Sequence, residues 1–113
     1  AEHPGAPRLL HNDLWPDHVR VARTGLGVLG IFDWSDVAIG DPARDFAALY
    51  GWAGPGVLDH MMPGYALDLD EGFSERVRFM ARVGSIATLR EMEAVGGDVE
   101  KHVGWTLNAF TDE

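Results

Sequence analysis

Two short apolar runs, Val19-Arg-Val-Ala-Arg23 and Val28-Leu-Gly-Ile-Phe32, flank the turn cluster Thr24-Gly-Leu-Gly27, and no other feature restricts the fold as tightly. Runs of this length, rich in β-branched residues and joined by a glycine-rich connection, predict an antiparallel hairpin. A strand that leaves at Val19 and returns at Phe32 brings His18 beside Asp33 at the open end of the hairpin. The preceding loop, His11-Asn-Asp-Leu-Trp-Pro-Asp-His18, holds Asp13 at that same end. Taken singly, each of these side chains would read as a cap or a solvated loop group. Gathered at one edge, two carboxylates and an imidazole could hold a divalent cation and leave one carboxylate as a base.

Beyond the hairpin the pattern turns helical. Asp41-Pro42 reads as an N-cap followed by proline at the first helical position, with Phe46, Leu49 and Tyr50 at helical spacing and a stop within Gly51–Gly56. A short helix is expected over about 56–62, broken near Pro63-Gly64. Ser74 is expected to cap a long amphipathic helix with Val77, Met80, Gly84, Ala87 and Glu91 near one stripe, ending at Gly96-Gly97. Asp98 caps a last helix carrying Val103, Leu107 and Phe110. Strands first and helices after give an α+β chain.

At 113 residues there is room for one domain. Residues 1–8, with two prolines and a glycine, read as a linker or a truncated loop, and residues 9–113 as the folded unit. A net charge of −9 disfavours nucleic acid, whose binding is driven by Lys and Arg. No run approaches the roughly 20 apolar residues of a membrane span. The absence of cysteine fits a reducing, cytoplasmic setting.

His11-Asn12-Asp13-Leu14, then His18, then Ile31-Phe32-Asp33-Trp34, then Gly40-Asp41-Pro42-Ala43-Arg44-Asp45-Phe46-Ala47 resembles the aminoglycoside phosphotransferase and choline kinase family. The resemblance covers about residues 9–50 by motif. It implies the C-terminal lobe of a protein-kinase-like fold: a catalytic loop and β-hairpin followed by a mainly helical bundle. It also implies transfer of phosphate from ATP or GTP to the hydroxyl of a small molecule, with Mg²⁺ or Mn²⁺ as the cofactor.

Carried over position by position, Asp13 resembles the catalytic base and Asp33 the carboxylate that holds the metal against the β- and γ-phosphates. His11 resembles a structural tie between catalytic loop and metal loop, and Asp45 a buried acceptor for the catalytic-loop backbone. Asp41 is explained as a helix cap. Asp36 is a solvated loop residue or a group behind the metal, and Trp15 a wall of the acceptor site or a packing residue. Trp34, Trp52 and Trp105 read as packing residues.

Two positions depart from the family pattern. Asn12 stands where glycine is usual, and His18 where a metal-binding Asn is usual. Histidine in that slot resembles the macrolide 2'-phosphotransferases and the 2''-aminoglycoside phosphotransferases, and magnesium prefers oxygen to imidazole. No glycine-rich phosphate loop occurs anywhere in the sequence. The chain is therefore expected to be a piece of a longer kinase, inactive alone, with exposed surface that favours self-association.

Aminoglycoside kinases tend to carry acids near the end of the helix that follows Asp45. Here that segment, Leu49-Tyr-Gly-Trp-Ala-Gly54, has none, which suits a bulkier and less cationic acceptor such as a macrolide. Acids at Asp68, Asp70, Glu71, Glu91 and Glu93 are expected to be solvated. The rival reading is a non-catalytic kinase-like domain that keeps the motifs for folding. A metal-dependent hydrolase is more remote, since it would need more ligands than the hairpin mouth offers.

Overall fold

The computed structural model describes residues 5–25 and 27–111. Two antiparallel two-stranded sheets precede four α-helices. Strand β1 (Arg8–Leu10) pairs with β4 (Ala38–Gly40), Leu10 lying opposite Ala38. Strand β2 (Val19–Val21) pairs with β3 (Val28–Ile31), Val19 opposite Ile31, so the hairpin forms where expected. Gly25 (φ 74°) and Gly27 (φ 96°) supply the left-handed backbone that its turn requires. The β1–β4 pair has a weaker sequence signal, three residues on each side. Arg8 belongs to β1 rather than to a linker, and residues 1–4 lie outside the described residues.

The helices are α1 (Ala43–Ala53), α2 (Gly56–Met61), α3 (Phe73–Val95) and α4 (Val99–Ala109). Helix α1 buries Ala43, Phe46, Ala47 and Tyr50, an i, i+3, i+4, i+7 stripe. It meets Phe73, Val77 and Ala81 of α3, with the Phe46 and Phe73 rings edge to face at 5.0 Å. The Tyr50 hydroxyl donates to the Thr111 carbonyl at 2.6 Å, tying the chain's end to this core.

Several boundaries and faces differ from the sequence reading. The stop of α1 does fall within the expected Gly51–Gly56, at the left-handed Gly54 (φ 88°), with Gly51 still inside the helix. Proline 42 precedes the first helical residue, while the Asp41 carboxylate accepts from the Ala43 amide at 3.0 Å. Ser74 is not the cap of α3. It sits in the first turn with its hydroxyl on the Met62 sulfur, and the Gly72 amide donates to Asp70. Gly84, Ala87 and Glu91 are exposed, and the buried residues of α3, namely Phe73, Val77 and Ala81, all lie in its first half. Asp98 does cap α4, accepting from the Lys101 amide, but Val103, Leu107 and Phe110 face outward while His102 and Ala109 are buried.

Asp70 is not simply solvated either. Arg76 donates to Asp41 through Nε (2.8 Å) and Nη2 (3.1 Å) and to Asp70 through Nη1 (2.6 Å) and Nη2 (2.8 Å). One guanidinium thus clamps the carboxylate at the start of α1 to the carboxylate at the start of α3. Among the described residues no helix is long and apolar enough to cross a membrane.

Candidate active site

The loop between β1 and β2 is held by its backbone. The Asp45 carboxylate on α1 accepts from the amides of His11 (2.9 Å) and Asn12 (2.8 Å). The Asp13 amide donates to His11 Nδ1 at 3.1 Å, which leaves the proton of the buried ring on Nε2. That Nε2–H donates to the Phe32 carbonyl at 2.6 Å, so one imidazole joins the loop to the residue before Asp33. Trp52 on α1 adds a third tie, its indole N–H donating to the Leu14 carbonyl at 2.8 Å.

Asn12 has φ 69°, a left-handed conformation that asparagine tolerates better than most residues, and its side-chain amide donates to the Asp36 carbonyl. This accounts for asparagine in a slot where glycine would be usual. Asp33, at φ 55°, is the other non-glycine residue in that region among those described. Strained backbone of this kind persists only where its surroundings hold it.

Asp13, His18 and Asp33 each offer one ligand atom, and these atoms all lie within 4.8 Å of one another. His18 Nδ1 donates to the Asp13 carbonyl at 2.7 Å, since a carbonyl can only accept. Its Nε2 faces Asp33 Oδ2 at 3.6 Å. Asp33 Oδ1 accepts from the Ser35 hydroxyl at 2.6 Å, which holds the Asp33 carboxyl below the usual carboxylate range. Two ionised oxygens and an available imidazole nitrogen fit a divalent cation.

The hydrogen bond to the Asp13 carbonyl, with the carboxylates of Asp13, Asp33 and Asp17 around it, raises the His18 pKa above its ordinary value. A protonated Nε2 cannot ligate a metal. Cation binding through His18 should therefore weaken as pH falls through that raised value. Mn²⁺ titrations at about pH 6 and about pH 8 test this, and His18→Asn should flatten the difference. An equal pH dependence in that variant would remove His18 from the ligand set.

Asp36 does not join the cluster; its backbone carbonyl, not its carboxylate, contacts the loop. Trp15 stacks on Trp105 of α4, centroids 5.6 Å apart at 25°. Trp34 packs edge-on against His11 at 4.6 Å. A cavity of about 420 Å³ opens beside the loop, lined by Asn12 and Trp15 together with Arg44, Trp52, His102 and Trp105. Sequence reasoning missed Ser35, although the Asp-x-Ser spacing is a readable side-chain turn. It also missed His102, which nothing local distinguishes from a packing residue.

The phosphotransferase enzyme family model matches residues 1–82. An uncharacterized protein of Bacillus subtilis (strain 168), YcbJ, is 42% identical over 43 residues, 38% of this chain. The chain spans only 14% of that relative's length. No solved structure matches it. With motifs in order, loop and hairpin brought to one edge, and a family match over most of its length, the chain belongs to the phosphotransferase enzyme family.

Proposed function

We propose that this chain is the catalytic lobe of a small-molecule O-phosphotransferase, a C-terminal lobe of protein-kinase-like architecture whose nucleotide is covered by a lobe outside this sequence. The observation that carries this reading is the meeting of Asp13, His18 and Asp33 within 4.8 Å. Asp13 serves as the base. Its carboxylate takes the proton of the acceptor hydroxyl as the new oxygen–phosphorus bond forms and the bond to the β-phosphate oxygen breaks. Asp33, with Oδ1 fixed by Ser35, directs Oδ2 toward the site and would hold Mg²⁺ or Mn²⁺ together with His18. A cation held there supplies charge neutralisation for the phosphates of ATP or GTP. His11 and Asp45 position the loop and take no part in the transfer.

Mn²⁺ binding to the 113-residue chain, followed by the paramagnetic signal of the free ion, tests the metal half of this reading. Asp33→Asn is expected to reduce that binding at least ten-fold, since about half the anionic charge of the cluster is removed. Binding that survives Asp33→Asn unchanged would favour a non-catalytic domain whose motifs only hold the fold.

A further inference from the structure

We infer that the cavity lined by Trp15, Trp52 and Trp105 takes an acceptor with an apolar body and no positive charge, with Arg44 and His102 as its charged and hydrogen-bonding contacts. This rests on the phosphotransfer reading above, because the cavity's claim to the acceptor is its continuity with the catalytic loop. Asn12 and Trp15, on either side of Asp13 in the chain, both line it. At about 420 Å³ it has the size of a small-molecule pocket.

The lining is selective in charge. The chain carries 18 acidic residues against nine basic ones, yet no carboxylate lines this cavity. Its charged side chain is Arg44, exposed on α1, and its other polar side chains, such as Asn12, Ser85 and Thr88, are neutral. An ammonium group entering here would lose water and meet the repulsion of Arg44 and no carboxylate, with only the weaker attraction of the indole faces to set against both. The indoles and the side chains of Ala47 and Met80 suit an aromatic or aliphatic body.

His102 supplies the second contact. The residue is buried at 8% exposure, and its Nδ1 donates to the Asp98 carbonyl at 2.8 Å. That bond fixes the ring, which also lies edge-on to Trp105 at 4.8 Å. Nε2 has no hydrogen-bond partner among the described residues, and the residue lines the cavity. A fixed imidazole with one free nitrogen can bind a polar group of the acceptor. Asp17 and Glu91 line a neighbouring hollow that shares Trp15, His102 and Trp105, where Lys101 sits over the Trp105 ring at 5.0 Å. Lys101 lines that hollow as well, and neither acid lines the larger cavity.

The test uses the 113-residue chain and three matched probes: hydroxynaphthoate, naphthol and aminomethylnaphthol, with a polycationic aminoglycoside as a fourth. Binding is read from the indole N–H signals of Trp15, Trp52 and Trp105, with Trp34, which does not line the cavity, as the internal control. Hydroxynaphthoate should bind tightest and aminomethylnaphthol weakest, about ten-fold apart. Arg44→Gln, a surface change, should bring hydroxynaphthoate down to the level of naphthol, and His102→Gln should weaken both. The proposal is overturned if the three indoles do not respond, if either cationic probe matches hydroxynaphthoate, or if Arg44→Gln leaves the preference intact. No nucleotide or metal enters this experiment. Failure here therefore leaves the Mn²⁺ result standing, and failure there leaves this one.

Discussion

Replacing Asp13 by alanine should lower phosphate transfer to the acceptor by roughly 10²–10⁴-fold in the phosphotransferase proposed above, a larger effect than on nucleotide affinity. The expectation follows from which atoms hold the loop. Asp45 binds the amides of His11 and Asn12, His11 binds the Asp13 amide, and Trp52 binds the Leu14 carbonyl. Even His18 reaches Asp13 through its backbone carbonyl at 2.7 Å. None of these backbone ties uses the Asp13 carboxylate, so its removal leaves the loop in place; it takes away the proposed proton acceptor together with the charge whose Oδ2 lies 3.6 Å from His18 Nδ1. The loss should accordingly appear in kcat rather than in the KM for nucleotide. Asp13→Asn sharpens the test, because it keeps the shape and still hydrogen-bonds but cannot accept the proton. If Asp13→Asn retains activity within a few-fold, Asp13 orients the acceptor and is not its base.

The site was more legible than the helices, for a physical reason. A hairpin fixes its own register, so two strands and a turn were enough to put His18 beside Asp33 across positions far apart in sequence. Helix faces are set by partners that a single sequence does not reveal. Along α3 the expected stripe is buried only in the first turns, at Val77, and its later members Gly84, Ala87 and Glu91 are exposed where the helix runs past its packing partners. The large apolar residues Val103 and Leu107 of α4, and Phe110 at its end, mark the outer face, while the inner face carries His102 and the small Ala109. Residue type alone favours Ser74 as a cap. The start of α3 is instead set from outside the helix, by Asp70 and the arginine it shares with Asp41. That pairing joins residues 35 positions apart and has no local signature.

Arg76→Met should destabilise the chain by about 3 kcal/mol, the lower end for breaking a buried ion pair, because the guanidinium keeps 21% of its side chain exposed. For a domain of this size that is a fall in Tm of roughly 10–20 °C. The loss comes from stranding two carboxylates: Asp41 is buried at 8% exposure, and both face a site from which the positive charge has gone. Neutralising them together with the arginine, as Arg76→Met with Asp41→Asn and Asp70→Asn, should therefore be less damaging than Arg76→Met alone. Asn at position 41 can still accept from the Ala43 amide, so the start of α1 survives. Acid titration gives an independent readout. Hydrogen bonding from Arg76 holds the Asp70 pKa down at about 2, so its contribution is complete above about pH 4 and is lost as pH falls toward about 2. In Arg76→Met that acid-dependent loss should shrink, because the group that depresses Asp70 is absent. The same variant should weaken Mn²⁺ binding without touching a ligand. Asp41 precedes by four residues the Asp45 that holds His11 and Asn12, and a loosened α1 start carries that anchor with it. Unaltered Mn²⁺ affinity in a destabilised Arg76→Met chain would mean that the loop is held by Asp45 and Trp52 independently of the clamp.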